Sequence, residues 1–109
     1  NRYGHGTHVC GTIVGHKSLN GATETNDAMA NGVAKDAKLA FFDIGDEDGA
    51  LNVPNSPNTL FDPGRKAGAY LHSASWGSEV DVYGFQAMTF DNYLSENDDF
   101  LVIIAAGNS

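Results

Sequence analysis

Residues 69–106 carry the pattern that most constrains the fold of this chain. Residues 69–75 (AYLHSAS) and 100–106 (FLVIIAA) have the length and apolar character of buried strands, and the second is the most apolar run of the sequence. Between them, residues 83–96 place large apolar side chains at near-helical spacing, and residues 97–99 (NDD) form a polar stop. A strand, a helix and a strand in this order form a βαβ unit with parallel strands, so the sequence predicts an α/β fold.

The rest of the chain predicts shorter elements. Residues 6–15 are expected to form a helix that begins at a Gly-rich turn, with His5 at its entrance. A turn at residues 35–37 leads into a buried strand predicted at residues 38–44, which the turn at residues 46–49 ends. All 3 prolines lie between residues 51 and 68, which favours a surface excursion with at most a short helical turn at residues 58–62.

Composition limits the size and the partners of the protein. A chain of 109 residues with 41% apolar content supports one small core and at most one domain. Its net charge of -8 argues against binding to nucleic acid or to an anionic membrane surface. No apolar run approaches the roughly 20 residues of a membrane span.

The first residues are not a signal peptide, but the chain lacks an initiator Met, so secretion stays open. The single cysteine, Cys10, forms no internal disulfide, which leaves the redox compartment open.

The segment GHGTHVCGT at residues 4–12 contains two histidines three positions apart. It resembles the histidine motif H-G-T-H-[VC]-[AC]-G-T of the subtilisin-like serine protease (subtilase) family. The resemblance implies that His5 is the general base of a Ser-His-Asp triad. His8 is expected to point into packing, and Cys10 to be a small buried side chain. A metal shared by the two histidines is the less favoured alternative, because the segment has no second cysteine and no H-E-x-x-H glutamate.

Two further motifs follow the predicted strands. Residues 102–109 (VIIAAGNS) resemble the apolar strand of the family that ends in A-A-G-N, which implies that Asn108 donates a hydrogen bond to the oxyanion of the tetrahedral intermediate. Residues 73–78 (SASWGS) resemble its S-x-S-[LW]-G strand, whose backbone pairs with an extended substrate. The resemblance then implies two walls of a specificity pocket, with the first formed by Ser75, Trp76 and Gly77 and the second by Ala105, Ala106 and Gly107. Trp76 as a plain core aromatic remains an alternative.

Weaker similarities lie between these motifs. Residues 31–39 (NGVAKDAKL) resemble the family connector G-V-A-P-x-A-x-[LI], with Lys35 in place of the usual proline. Residues 48–51 would form, by the same analogy, a second edge beside the substrate. The polar stretch at residues 16–31 is predicted to be a surface loop. Its side-chain oxygens suit a structural calcium ion, although a plain loop is the favoured interpretation.

The aspartate motif D-[ST]-G and the serine motif G-T-S-M-A of the family are both missing, and Asp43, Ser75 and Ser109 do not replace them. Residues 1–109 are therefore interpreted as an internal fragment of a peptidase domain, from the catalytic His motif to the oxyanion Asn, with a partial three-layer parallel-sheet fold. The full-length protein is expected to be a serine endopeptidase acting on polypeptides without a cofactor in the chemistry, and the fragment alone to be inactive. The resemblance favours a secreted or extracytoplasmic location. A catalytically dead subtilisin-like binding domain and a plain α/β binding module are the alternatives.

Overall fold

The computed structural model describes residues 3–19, 22–23 and 31–108, which belong to two compact units. Unit 1 is drawn from Asn1–Leu39 and Gly45–Leu51, and unit 2 from Ala40–Ile44 and Asn52–Ser109. The elements in chain order are α1 (His5–Val14), β1 (Ser18–Leu19), β2 (Ala22–Thr23), α2 (Pro57–Lys66), β3 (Leu71–Ala74), α3 (Phe85–Glu96) and β4 (Leu101–Ile104).

Unit 2 contains the predicted βαβ arrangement, which confirms the α/β class. β3 and β4 pair in parallel, from Leu71 opposite Leu101 to Ala74 opposite Ile104. The N–H of Ala105 donates to the carbonyl of Ala74 (3.0 Å), so the pairing continues one residue beyond β4. α3 begins two residues later than predicted and ends where predicted. Because successive residues of a strand face opposite sides, the two strands present one set of side chains to the helices and another away from them.

The core of unit 2 is an aromatic cluster centred on Phe61 of α2, whose side chain is only 1% exposed. Its ring centroid lies 4.8 Å from that of His72, 4.9 Å from that of Phe90 and 5.4 Å from that of Phe100. These partners lie on β3, on α3 and directly before β4, so α2 and α3 both pack against the His72 side of the sheet. On the opposite side Leu71, Leu101 and Ile103 are exposed.

The prediction of at most a short helical turn at residues 58–62 is wrong, since α2 runs for 10 residues through Pro63. Pro57 occupies the start of the helix, where a missing N–H has no consequence. Pro63 removes one helical hydrogen bond, but Leu60 and Phe61 on the same helix are buried in the core, and this packing outweighs the loss. At the end of α2, Arg65 Nη2 lies 2.8 Å from Asp99 Oδ1.

The predicted buried strand at residues 38–44 is also wrong. The segment is not part of a strand. Leu39, Phe41 and Phe42 are exposed, with Phe41 at 57%, whereas Ile44 is half-buried and packs against the core of unit 2. A strand is stable only where a neighbouring backbone takes its hydrogen bonds, and among the described residues β3 and β4 pair only with each other. The turns on both sides are observed: Ala37 N–H donates to the carbonyl of Ala34, and the bridge between Gly45 and Leu51 closes the second turn.

Unit 1 is built around the predicted helix α1. The end of α1 is held by backbone bonds from Val33 N–H to the carbonyl of Thr12 (3.1 Å) and from Ala34 N–H to the carbonyl of Ile13 (2.8 Å). Within the stretch predicted as a loop, β1 and β2 pair in antiparallel orientation. Most residues on which the calcium expectation rests, including Asn20 and Asp27, lie outside the described residues. None of the helices formed by the described residues has the length and apolar content that a bilayer span requires.

Replacing Phe61 with Ala should lower the free energy of unfolding by about 3–5 kcal/mol, because the substitution leaves a cavity among four aromatic partners. Denaturant unfolding of a folded polypeptide that contains this chain measures the change. Phe85→Ala is the matched control, since Phe85 is exposed and should change stability by no more than about 0.5 kcal/mol. Equal losses for the two variants would contradict the assignment of the core.

His72 should make stability depend on pH. Burial lowers the pKa of His72 below its ordinary value of 6.5, and Nε2 is buried without a hydrogen-bond partner among the described residues. The unfolded chain therefore binds the proton more tightly, so stability is full above about pH 6.5 and falls as the pH drops through that value. We expect denaturant unfolding at pH 7.5 and pH 5 (about one unit or more either side of that value) to show a smaller loss for His72→Leu than for the parent. An identical pH dependence would sink the prediction.

Candidate active site

His5 is the first residue of α1, and its side chain is exposed. The residue before it, Gly4, has a left-handed conformation (φ 69°), and its carbonyl accepts the first helical hydrogen bond from the N–H of His8 (2.9 Å). An exposed imidazole at a helix entrance can be reached by a bound molecule, and such access is one requirement of a general base.

The structure corrects two expectations for α1, none of whose side chains is buried. His8 is exposed rather than directed into packing. Cys10, predicted to be buried, is half-buried and carries a free thiol. Among the described residues, no three side chains of His, Cys, Asp or Glu come close enough together to hold a metal ion.

The parallel pairing of β3 and β4 brings two of the predicted site segments to the same edge of the sheet. Residues 75–77 follow β3 directly and residues 105–108 follow β4 directly, so both leave the sheet at its carboxyl end. In parallel sheets this edge is where ligands bind. Gly107 has φ 104°, a conformation that favours glycine, and the side chain of Asn108 after it is exposed. The amide of Asn108 is thus presented to solvent as a hydrogen-bond donor.

A pocket of about 140 Å³ lies between this edge and α3. It is mainly apolar and is lined by Ala74, Trp76, Gly77, Gln86, Ala87, Phe90 and Ile104. The indole ring of Trp76 meets the ring of Phe90 edge-on, with centroids 6.5 Å apart. Two residues of the predicted first wall therefore line a pocket, whereas the predicted second wall at residues 105–107 does not line this one.

Sequence reasoning missed the contribution of α3 to this pocket. Gln86 and Ala87 lie on the first turn of α3, and Phe90 follows Gln86 by four positions, on the same face of the helix. That spacing was a signal in the sequence, but only the packing of α3 against β3 shows which face meets the site.

Two polar contacts near the motifs lie at the surface. Lys35 donates a hydrogen bond to Asp36 Oδ2 (2.6 Å), and this bond lowers the pKa of Asp36. Before α3, the hydroxyl of Tyr83 donates to Asp91 Oδ2 (2.6 Å), which raises the pKa of Tyr83. Exposed contacts of this kind contribute little to stability.

His5 belongs to unit 1, whereas the sheet edge and Asn108 belong to unit 2. The described residues thus place the candidate base at a helix entrance, and they place the candidate donor beside the candidate substrate segment.

Comparisons with known proteins identify the family of this chain. The Subtilase family matches residues 1–109. Two proteins of Dictyostelium discoideum, named serine protease/ABC transporter B family proteins tagD and tagB, are 38% and 34% identical and each covers 97% of this chain. The chain spans about 6% of the length of these relatives. No solved structure matches the chain significantly. The match over the whole sequence, together with the three motifs, shows that the chain belongs to the subtilase family.

Proposed function

We propose that the whole protein is a serine endopeptidase in which His5 is the general base and Asn108 an oxyanion donor. The observation that carries the proposal is the parallel register of β3 and β4, which puts residues 75–77 and 105–108 side by side at the carboxyl edge of the sheet. The subtilase family and the printed names of the relatives support the same class of reaction.

In the proposed reaction, a serine supplied by another part of the protein attacks the carbonyl carbon of the peptide bond. The hydroxyl proton of the serine passes to His5. The carbonyl oxygen becomes negatively charged and accepts a hydrogen bond from the amide of Asn108. His5 then gives the proton to the leaving amine, and water hydrolyses the acyl-enzyme with His5 again as base. The aspartate that orients His5 is likewise proposed to lie outside this chain, which alone is expected to be inactive.

Substrate is proposed to bind in an extended conformation along residues 75–77. Backbone hydrogen bonds to such an edge do not depend on the substrate sequence, so selectivity falls to the pockets beside it. Ser75, Trp76 and Gly77 are proposed as one wall, and Ala105, Ala106 and Gly107 as the other. The pocket under Trp76 is close in size to an apolar cavity of about 150 Å³ that takes up benzene, so it suits one apolar side chain of the substrate.

Other features of the whole protein are also part of the proposal. The exposed face of the sheet that bears Leu71, Leu101 and Ile103 is the expected place for a second helical layer, which would complete a three-layer fold. The chemistry needs no cofactor, and any calcium would be structural. The net charge of -8 on these 109 residues disfavours nucleic acid as a partner of this part of the protein. A secreted or extracytoplasmic location is proposed from the family alone.

His5→Ala in the full-length protein should lower kcat for peptide hydrolysis by at least about 10³-fold, because the proton acceptor is lost. Asn108→Ala should lower kcat by about 10²–10³-fold with little change in KM, as removal of one oxyanion donor does in such enzymes. Steady-state hydrolysis of a peptide with a chromogenic leaving group measures both.

His8→Ala is the matched control for His5, since it removes an exposed histidine one turn further along the same helix. It should keep the parental rate and the parental labelling by a fluorophosphonate serine probe. A His5→Ala variant that cleaves at the parental rate would refute the role of His5. A full-length protein that binds peptide but neither cleaves it nor reacts with the probe would favour a catalytically dead domain.

Ala87→Leu should fill the pocket between Trp76 and α3, and so raise KM by about tenfold for substrates with a large apolar side chain in this pocket. Substrates with a small residue there should change little. Asn92→Leu is the control, because Asn92 is an exposed residue of α3 outside the pocket lining. Comparison of kcat/KM across a peptide series checks this, and equal effects on large and small residues would contradict the pocket assignment.

A further inference from the structure

Tyr3 lies two residues before His5 and contacts a distant loop of unit 1. The hydroxyl of Tyr3 donates a hydrogen bond to the backbone carbonyl of Asp48 (3.2 Å). The ring of Tyr3 also lies against Gly49: a Cβ added at Gly49 would be 2.5 Å from Cε2 and 3.0 Å from Cδ2 of the ring. Real Cβ atoms do not approach that closely, so the ring and the loop fit together only because residue 49 is glycine.

The loop that Tyr3 contacts is internally bonded. Asp46 Oδ1 accepts hydrogen bonds from the N–H of Asp48 (3.0 Å) and the N–H of Ala50 (2.8 Å). The N–H of Asp46 donates to the carbonyl of Ala50 (3.0 Å), and the bridge between Gly45 and Leu51 closes the base of the loop. Tyr3 therefore contacts a turn whose shape is fixed by hydrogen bonds within the turn.

The entrance of α1 lacks the features that usually fix a helix start. Its N-cap residue is Gly4, which has no side chain to cap the helix, and the first turn holds no acidic residue. No residue of α1 is buried. The far end is held by the bonds of Val33 and Ala34, so the contacts of Tyr3 act at the opposite end, next to His5.

We propose that Tyr3 is a positioning residue, which ties the entrance of α1, and with it His5, to the loop at residues 45–51 through its hydrogen bond to Asp48 and its close fit on Gly49. The inference rests on the proposed function, since the position of His5 limits turnover only if His5 is the base. Tyr3 touches no reacting atom; it acts through the short backbone path across Gly4. A general base displaced by a fraction of an ångström to one ångström transfers protons far less efficiently, while substrate binding elsewhere is unchanged.

A double-mutant cycle in the full-length protein tests the fit. Tyr3→Ala and Gly49→Ala should each lower kcat by about tenfold or more, because each one disturbs the placement of the base. Tyr3 lies outside the residues 48–51 expected beside the substrate, so Tyr3→Ala should keep KM within about twofold. The double variant should be about as active as Tyr3→Ala alone, since the new Cβ then meets no ring. If the kcat losses of the two single variants multiply in the double variant, the two residues act independently and the proposal is overturned.

Three variants serve as controls for the cycle. Gly68→Ala imposes a similar positive φ (95° against 86°) where no atom lies within 4 Å, so it measures the backbone strain without the clash. Tyr70→Ala removes a tyrosine of similar exposure (60% against 63%) from unit 2 and should leave kcat unchanged. Tyr3→Phe keeps the ring contact and loses only the hydrogen bond, so its kcat should be only about two- to threefold below that of the parent.

Hydrogen exchange separates this proposal from the proposed function. Tyr3→Ala should speed exchange of the backbone amides of Asp48, Ala50 and His8, whereas Gly68→Ala should not. Unchanged exchange at these amides would overturn the tie whether or not the protein is a peptidase. If the parent neither cleaves peptides nor reacts with the fluorophosphonate probe, the proposed function fails and the catalytic role of Tyr3 fails with it. Faster exchange in Tyr3→Ala would then show only that Tyr3 holds the entrance of α1 against the loop at residues 45–51.

Discussion

The ring of Phe61 is enclosed by His72, Phe90 and Phe100, so one side chain of α2 sets the positions of β3, α3 and the start of β4. Burial of apolar surface stabilises the cluster without favouring any orientation of the rings, and the preference of aromatic pairs for edge-on and tilted contacts fixes their orientation. The functional part of unit 2 follows from this cluster, because the sheet edge and the pocket beside α3 exist only while the helix and the strands keep their relative placement. Phe90 belongs both to this cluster and to the lining of the pocket beside α3, so one side chain of α3 contributes to the core and also shapes the pocket.

The elements that local sequence determines were predicted correctly. The apolar run at residues 100–106 and the near-helical spacing at residues 83–96 identify β4 and α3, and their order implies the parallel pairing. The failures are elements decided by distant contacts. Pro63 argues against a helix locally, yet burial of Phe61 maintains α2 across it. The apolar residues at positions 38–44 look like a strand, but an apolar run without a pairing neighbour does not form one.

The candidate site divides in the same way. The identities of His5, Asn108 and Trp76 follow from short motifs that the sequence displays directly. Packing decides which face of α3 closes the pocket, and it brings Tyr3 into contact with a loop 45 residues away. No short stretch of the sequence predicts either contact. His8 shows the reverse error: its place in a motif implied burial, whereas the exposure of α1 in the structure decides its surroundings.

Two of the proposed functional side chains follow a glycine in a left-handed conformation: His5 after Gly4 (φ 69°) and Asn108 after Gly107 (φ 104°). At both places the direction in which the reactive group leaves the backbone is set by a residue that has no side chain. Any other amino acid would strain the turn by about 1–3 kcal/mol or rotate the following side chain to a new direction. Loss of function by natural variation at these positions would thus leave the reactive group chemically intact and merely misdirected, a defect visible in the backbone alone.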